Sequence, residues 1–563
     1  MSVALSPAAG RLGAADLPPR GLLQVEGLSV VAVKRDGTKA FLVDNLSFAV
    51  AAGSTHGLVG DSGSGKSMTA NAIAGILPPP LRATGSVVLN GLSILGEVGE
   101  LARLHRAQRL GFVFQNPKAA LNPRLPIGTQ LREALAPGDR RSTATALKRV
   151  IGLLDEVRLP NAAQRLTAYP HELSGGLAQR VVIALALARD PSLLIADEPT
   201  TALDTTIQKQ ILDLVDQLRR ERGLGVLLIT HDIGIVADRA DRLTVLEDGR
   251  AAEQGDTGAL LIRGAARSPV TRALVSGSIG LARVSTPPVD GSAAESEDVY
   301  VVSDARRSFD TKGRRASHVT ALDGVNLTIQ SGKSVGIVGE SGSGKTTLAR
   351  VLVGLERLDG GSVTYMGQPL GQLLGRSRKA WRAEVQFVNQ DPWAALNPRR
   401  KLGHSIAEPL AAGGWNATAR AERVSEVMAA VGLEADLANR FPGQLSGGQL
   451  QRGVIALALT LRPKVLIADE PVASLDVTVQ ARVIALLEEL RDQFGLTYVL
   501  ISHDLRIVRR LCLEVVVMTE GRVVERGPVG RVLNAPSHPY TRKLVDAVPG
   551  LGLATTQKGN STP

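Results

Sequence analysis

Short, continuous apolar runs recur along this chain in matched pairs. Thr55–Val59 matches Val335–Val338, Leu193–Ala196 matches Val465–Ala468, and the run closing on His231 matches the run closing on His503. A run that does not alternate apolar with polar fits a strand covered on both faces, as in a parallel sheet. The longest apolar stretches, Val181–Ala188 and Val454–Leu459, fit helix-like segments of a soluble core. No run approaches ~18 apolar residues, so the pattern predicts no membrane span. Met1–Arg20 lacks the sustained apolar segment of a signal peptide. The pattern predicts an α/β fold.

The pairing is a tandem duplication. Gln115 and Gln390 are 275 residues apart, while Ser174/Ser446, Glu198/Glu470 and His231/His503 are each 272 apart. Each copy is large enough to bury its own core. The expected organisation is a mobile tail over 1–20, a first domain over 21–275, a linker over 276–297, a second domain over 298–548 and a tail over 549–563. The linker segment is rich in Ser, Pro, Gly and Ala.

Chemistry enters at the ends of these runs. Gly60-Asp61-Ser62-Gly63-Ser64-Gly65-Lys66-Ser67 and Gly339-Glu340-Ser341-Gly342-Ser343-Gly344-Lys345-Thr346 both read G-x-x-x-x-G-K-[ST]. Such a loop, between a strand and a helix, wraps phosphate in backbone N–H groups and places it at a helix N-terminus. Lys66 and Lys345 would reach the phosphates of ATP, and Ser67 and Thr346 would bind Mg²⁺. Asp197 and Asp469 end buried strands and would hold Mg²⁺. Glu198 and Glu470 follow directly and would polarise the attacking water. His231 and His503 could orient that water. Leu173-Ser174-Gly175-Gly176 and Leu445-Ser446-Gly447-Gly448 precede helix-like segments. They read either as a second anion site or as plain helix caps, and spacing alone does not choose.

The ordered set of P-loop, Gln115/Gln390, Leu-Ser-Gly-Gly, Asp-Glu and His resembles the nucleotide-binding domains of ABC ATPases, over nearly the whole chain. That resemblance implies two tandem P-loop NTPase domains, each with a RecA-like core and a helical subdomain. It implies that Gln115 and Gln390 sense Mg²⁺ and face the membrane subunits. It further implies composite ATP sites pairing Lys66 with Ser446 and Lys345 with Ser174, with D-loops at Ala202-Leu203-Asp204 and Ser474-Leu475-Asp476. ATP would clamp the halves and hydrolysis would release them. The stretches Gln115–Pro123 and Gln390–Pro398, and the tail Ser537–Leu544, are similar to the ATPases of dipeptide/oligopeptide importers, a subfamily that includes nickel and glutathione importers. The implied partners are two transmembrane permease subunits and a substrate-binding protein or lipoprotein, with the chain peripheral on the cytoplasmic face of the membrane.

Two departures from the family pattern predict asymmetry. Leu177 stands where the second copy has Gln449. Phe309 is the candidate adenine-stacking aromatic of copy two, while copy one has no aromatic between Gln24 and Ala40. Copy one is therefore expected to bind ATP up to about tenfold more weakly. A soluble tandem ABC ATPase acting on ribosomes or DNA is the alternative class, and a non-hydrolysing scaffold is a third. The short, charge-poor linker and absent zinc cysteines weigh against the former; the intact Glu and His pairs weigh against the latter.

The net charge of +11 could indicate nucleic acid, but aromatics are only 3% and the basic residues are scattered. That favours a solvated basic surface and no nucleic-acid partner. The single cysteine, Cys512, is expected in a strand-like run over Leu511–Met518 as a buried, inert thiol. One cysteine rules out intrachain disulfides and multi-cysteine metal sites.

Overall fold

The computed structural model describes residues 21–33, 38–95, 99–140, 142–201, 203–262, 265–282, 297–310, 318–472, 475 and 477–550. The expected tail over 1–20, residues 551–563 of the expected tail over 549–563, most of the expected linker, and Ala202, Ser474 and Asp476 lie outside them. The chain divides into two compact units, Met1–Leu203 with Gln210–Arg272, and Asp204–Lys209 with Ala273–Pro563.

The first unit is built on a six-stranded sheet in the order 250–256, 242–247, 55–60, 225–230, 193–197, 110–113. All neighbours are parallel except the outer hairpin of Arg242–Glu247 with Arg250–Asp256. Thr55–Gly60, Leu193–Asp197 and Gly225–Thr230 are buried at every position, which is why their sequences do not alternate. A four-stranded antiparallel sheet (39–50, 23–33, 82–89, 92–93) supplies Phe48, Leu23 and Leu28 to the core against one face. Each such side chain contributes about 1.5–3 kcal/mol when fully buried. A helical layer follows the strand Leu110–Val113, comprising Pro117–Ala120, Ile127–Ala134, Thr143–Glu156 and then Gly175–Leu187. Pro117 opens its helix at the position that needs no N–H donor, and the Asn116 side chain accepts from the Lys118 and Ala119 N–H groups at 3.1 and 3.2 Å.

The second unit repeats this plan. Its six-stranded sheet runs 385–388, 465–469, 497–501, 334–338, 514–519, 522–528, and its antiparallel sheet runs 318–330, 298–310, 360–365, 368–369. Between the two sheets, buried Tyr300 donates its hydroxyl to the Leu352 carbonyl at 2.9 Å and accepts from the Trp381 indole at 3.2 Å. Two large aromatics thereby enter the core with their polar ends satisfied. The long apolar stretches do lie in helices, Gly175–Leu187 and Gly447–Leu459.

Two expectations are corrected. Cys512 is not in a strand: it caps the C-terminus of the helix Leu505–Leu511, and the strand begins at Glu514. Asp504 caps that helix at its start, and seven residues bring it to Cys512, an alternative that an apolar run does not reveal. The cysteine is buried, and burial pushes its thiol up, as an inert thiol requires. The helix Pro269–Ala282 also runs past residue 275, so the first part of the expected linker is helical. Pro269 sets its first turn and no further proline comes before Pro287 to stop it. Among the described residues no helix is long and apolar enough to cross a membrane.

Candidate functional site

In each unit the candidate chemistry lies at the C-terminal ends of three adjacent parallel strands, where open α/β sheets place ligands. In the first unit the strand Thr55–Gly60 passes into the loop Asp61–Gly65 and the helix Lys66–Ala74. Gly65 has φ 100°, and a Cβ there would lie 2.6 Å from the Leu42 carbonyl oxygen; Gly344 has φ 100° and would meet the Ala321 carbonyl at 2.2 Å. Only glycine fits these positions without moving the backbone. The Lys66 ammonium is buried and donates to the carbonyls of Gly60 and Asp61, both at 2.7 Å. Lys345 does the same with Gly339 and Glu340 at 2.8 and 2.7 Å, reaching Ser343 Oγ at 3.3 Å. Each lysine is thus held over the bowl of its own loop. Ser62, Gly63 and Ser64, and Ser341, Gly342 and Ser343, form the rest of each bowl.

The acids sit opposite. Ser67 Oγ donates to Asp197 Oδ1 at 3.2 Å. Burial raises Asp197 and Asp469 above the ordinary carboxylate range, and the Ser67 and Thr346 hydroxyls oppose this. Glu198 and Glu470 have φ of 46° and 47°, a left-handed conformation costly for a non-glycine residue. It is held by their N–H groups donating at 2.9 Å to Ile229 and Ile501 on the neighbouring strands.

Each glutamate is gripped from two sides. His231 Nδ1 lies 3.0 Å from Glu198 Oε1, and Gln115 Nε2 donates to Oε2 at 2.7 Å. His503 Nδ1 lies 2.9 Å from Glu470 Oε1, and Gln390 Nε2 donates to Oε2 at 2.8 Å. Burial alone would raise Glu198, but the hydrogen bond and charge of His231, with the Thr201 hydroxyl at 2.8 Å, hold it down to about 2. Glu470 is lowered through His503 in the same way. Burial lowers both histidines, and the paired glutamates outweigh it and raise them. The result is an ionised carboxylate, fixed in orientation, in the same site as a glycine-rich loop and its buried lysine. That arrangement can hold a nucleotide triphosphate and accept a proton from water.

The two copies differ in three details. Ser446 forms a full capping box: its Oγ accepts from Gln449 N at 3.3 Å, and Gln449 Oε1 accepts from Ser446 N at 3.0 Å. Leu177 cannot return that bond, and Ser174 makes no side-chain cap. Gly175, Gly176, Gly447 and Gly448 lie in the first turns of these helices. Phe309 carries the Arg307 guanidinium on its ring at 4.6 Å, and pairs with Val319 across the sheet. The equivalent pair in the first unit is Ala32 with Ala40, while Phe41 is 54% exposed on the neighbouring strand. Finally, Thr201, which touches Glu198, corresponds to Ala473, which has no hydroxyl.

Residue-by-residue motif reading does not reveal Tyr540 as part of this site. Its hydroxyl accepts from the Glu340 N–H of the second phosphate loop at 2.8 Å, and Lys543 lies 3.3 Å from the Glu340 carboxylate. The first unit has Val270 and Ala273 at these positions and can make neither contact. Tyr540→Phe leaves a half-buried loop N–H without its acceptor, a loss of about 1–3 kcal/mol. The expected outcome is an ATP affinity of the second unit weaker by about fivefold or more, with turnover at saturation preserved. Titration of nucleotide into the Lys66→Ala chain, with and without Tyr540→Phe, measures it; identical affinities would remove Tyr540 from the site.

Comparison with known proteins agrees with this geometry. The ABC transporter family matches residues 43–201 and 322–473. The glutathione import ATP-binding protein GsiA of Pectobacterium atrosepticum is 39% identical over 569 residues, covering 95% of this chain and 90% of that protein. The oligopeptide transport ATP-binding protein OppD of Mycobacterium tuberculosis is 38% identical over 605 residues, covering 94% and 98%. The archaeal ribosome recycling factor aABCE1, solved in complex with the ribosomal stalk protein aP1, superposes with a TM-score of 0.58 over 90% of this chain and 92% of that one. At 22% identity that likeness speaks for the fold alone. With two phosphate loops, two acid pairs and relatives matching 94–95% of its length, the chain belongs to the ABC transporter family and is an ATP-binding protein and ATPase carrying two tandem ATPase domains.

Proposed function

We propose that this protein is the ATP-hydrolysing subunit of an importer for dipeptides or oligopeptides, with residues 21–275 and 298–548 as its ATPase domains. The observation that carries hydrolysis is the glutamate held between His and Gln beside the phosphate loop, present in both units. Lys66 and Lys345 bind the phosphates. Glu198 and Glu470 take a proton from water as its oxygen attacks the γ-phosphorus and the bond to the bridging oxygen breaks, releasing ADP. His231 and His503 keep each carboxylate ionised and aimed.

The residues present suit a hard divalent cation. Asp469 Oδ1 is buried without a hydrogen-bond partner among the described residues, and Ser67 Oγ already meets Asp197. Ser67, Asp197 and Gln115, and Thr346, Asp469 and Gln390, would hold Mg²⁺, which neutralises phosphate charge when bound.

Import is supported by the two relatives, one named for glutathione and one for oligopeptides, at near-equal identity. Glutathione is itself a small peptide, so peptide cargo accommodates both. The chain would then work peripherally, on the cytoplasmic face of the membrane, with two permease subunits and a substrate-binding protein. Exposed Lys118 and Trp393, the latter 51% exposed beside Gln390, supply a surface for the permease. Lys118→Ala and Trp393→Ala are expected to weaken co-purification with the two permease subunits by about tenfold in affinity, with basal ATPase within about twofold. In proteoliposomes, peptide-loaded binding protein should stimulate the ATPase. Normal assembly of both variants would refute the docking surface, and stimulation by nickel but not by peptide would refute the cargo.

A further inference from the structure

A cavity of about 570 Å³ opens in the second unit, at the N-terminal ends of the strands Val465–Asp469 and Thr497–Ile501. It lies at the opposite ends of these strands from Asp469 and His503, and ATP chemistry does not use it. Its volume falls within the range of small-molecule sites. Its floor is apolar, from Val427, Leu459 and Leu496, and Phe494 stands 43% exposed at its edge.

The charge around it is unbalanced. Buried Arg423 is spent on the Leu459 and Thr460 carbonyls and on Glu426 at 2.6 Å. Arg462 reaches the same Glu426 only at 3.6 Å, with most of its side chain in solvent. One carboxylate therefore serves two guanidiniums. Lys464 is matched separately by Glu384 at 2.8 Å. Arg462 is left with fork-like donors over an apolar floor, which suits the planar or tetrahedral head of an anion.

The first unit, built on the same plan, fills this place with an ion-pair network. It has Glu156, Asp190 and Arg222 where the second has Ala430, Arg462 and Phe494. There Arg149 meets Asp190 at 2.7 Å, Arg222 meets Asp190 at 2.9 Å, and Arg222 also pairs with Glu156. The charges are balanced and a guanidinium occupies the place of the phenyl ring. These three replacements remove the first unit's ion-pair network and add to the positive charge of the second unit at this place.

We propose that this cavity binds a small organic anion, with a carboxylate or phosphate head on Arg462 and an apolar body against Phe494 and the floor beneath it. Calorimetric titration of the full chain with 4-phenylbutyrate, phenyl phosphate and, as the opposite charge, 2-phenylethylamine tests this. At least one anion should bind and the amine should not; the anion that binds more tightly identifies the head group. Arg462→Glu, a change at an exposed side chain, should weaken binding at least tenfold. Ala430→Glu/Arg462→Asp/Phe494→Arg, which installs the first unit's network, should abolish it with ATPase activity retained. Absence of binding by both anions, equal binding of the amine, or undiminished binding to Arg462→Glu would overturn the proposal.

Discussion

Glu198→Gln combined with Glu470→Gln is expected to lower steady-state ATP hydrolysis by about 10³-fold or more while leaving ATP binding intact. A positioned general base contributes about 10²–10⁴-fold, and here both copies lose theirs. Glutamine keeps the size of the side chain and a carbonyl oxygen, so the strained backbone at φ 46° and 47° is retained. It removes the negative charge that His231 and His503 stabilise. Lys66 and Lys345, the proposed phosphate-binding residues, are untouched. Phosphate release and equilibrium nucleotide binding on the same preparation separate the two effects. Near-normal hydrolysis by the double variant would remove both glutamates from the chemistry. The single variants report on symmetry: if one behaves like wild type and the other is dead, only one unit turns over.

The phosphate loops and the Asp-Glu pairs are legible in the sequence because their residues are contiguous. A glycine-rich turn between an apolar run and a helix has few other readings, and the structure places every such element where the pattern predicts. The duplication is legible too, since it needs only matching separations. The grip on each glutamate is a different matter. Gln115, Glu198 and His231 can be named as separate motifs, yet their convergence on two oxygens of one carboxylate depends on the order of the parallel strands. Strand order is a long-range property that a local pattern does not carry.

Tyr540 illustrates the same limit more sharply. It lies 200 residues from Glu340, and its role appears only when the C-terminal helix Pro539–Asp546 is packed beside the phosphate loop. Leu177 shows the reverse case. The sequence marks the departure from Gln449, but its consequence, a helix start without its reciprocal cap, is visible only in the hydrogen bonds. Cys512 departs from its expected strand for a third reason. The apolar run spans a helix end and a strand start, and hydrophobicity is blind to that change.

Acid should destabilise the first unit through a single buried side chain, His56. It lies on the strand Thr55–Gly60, 1% exposed, with Nε2 2.9 Å from Thr244 Oγ1 and its ring stacked on Phe48 at 5.1 Å. Burial, with the nearby charge of Arg242, lowers it to about 3 from an ordinary value of 6.5. The folded state therefore holds His56 neutral through a range where the unfolded chain binds a proton. Stability from this group is complete well above pH 6.5 and is lost as pH falls below it, flattening only near pH 3. The expected loss is about 1.4 kcal/mol at pH 5.5 and about 2.7 kcal/mol at pH 4.5. The second unit has Val335 and Val516 at the positions of His56 and Thr244, so it carries no such liability. His56→Val/Thr244→Val transplants that apolar pair. Urea unfolding of both proteins between pH 7.5 and 4.5 isolates the effect, because carboxylates common to both cancel in the difference. The wild type should lose stability relative to the variant along this curve. A difference that stays constant with pH would mean that His56 is protonated inside the fold or reaches water without unfolding.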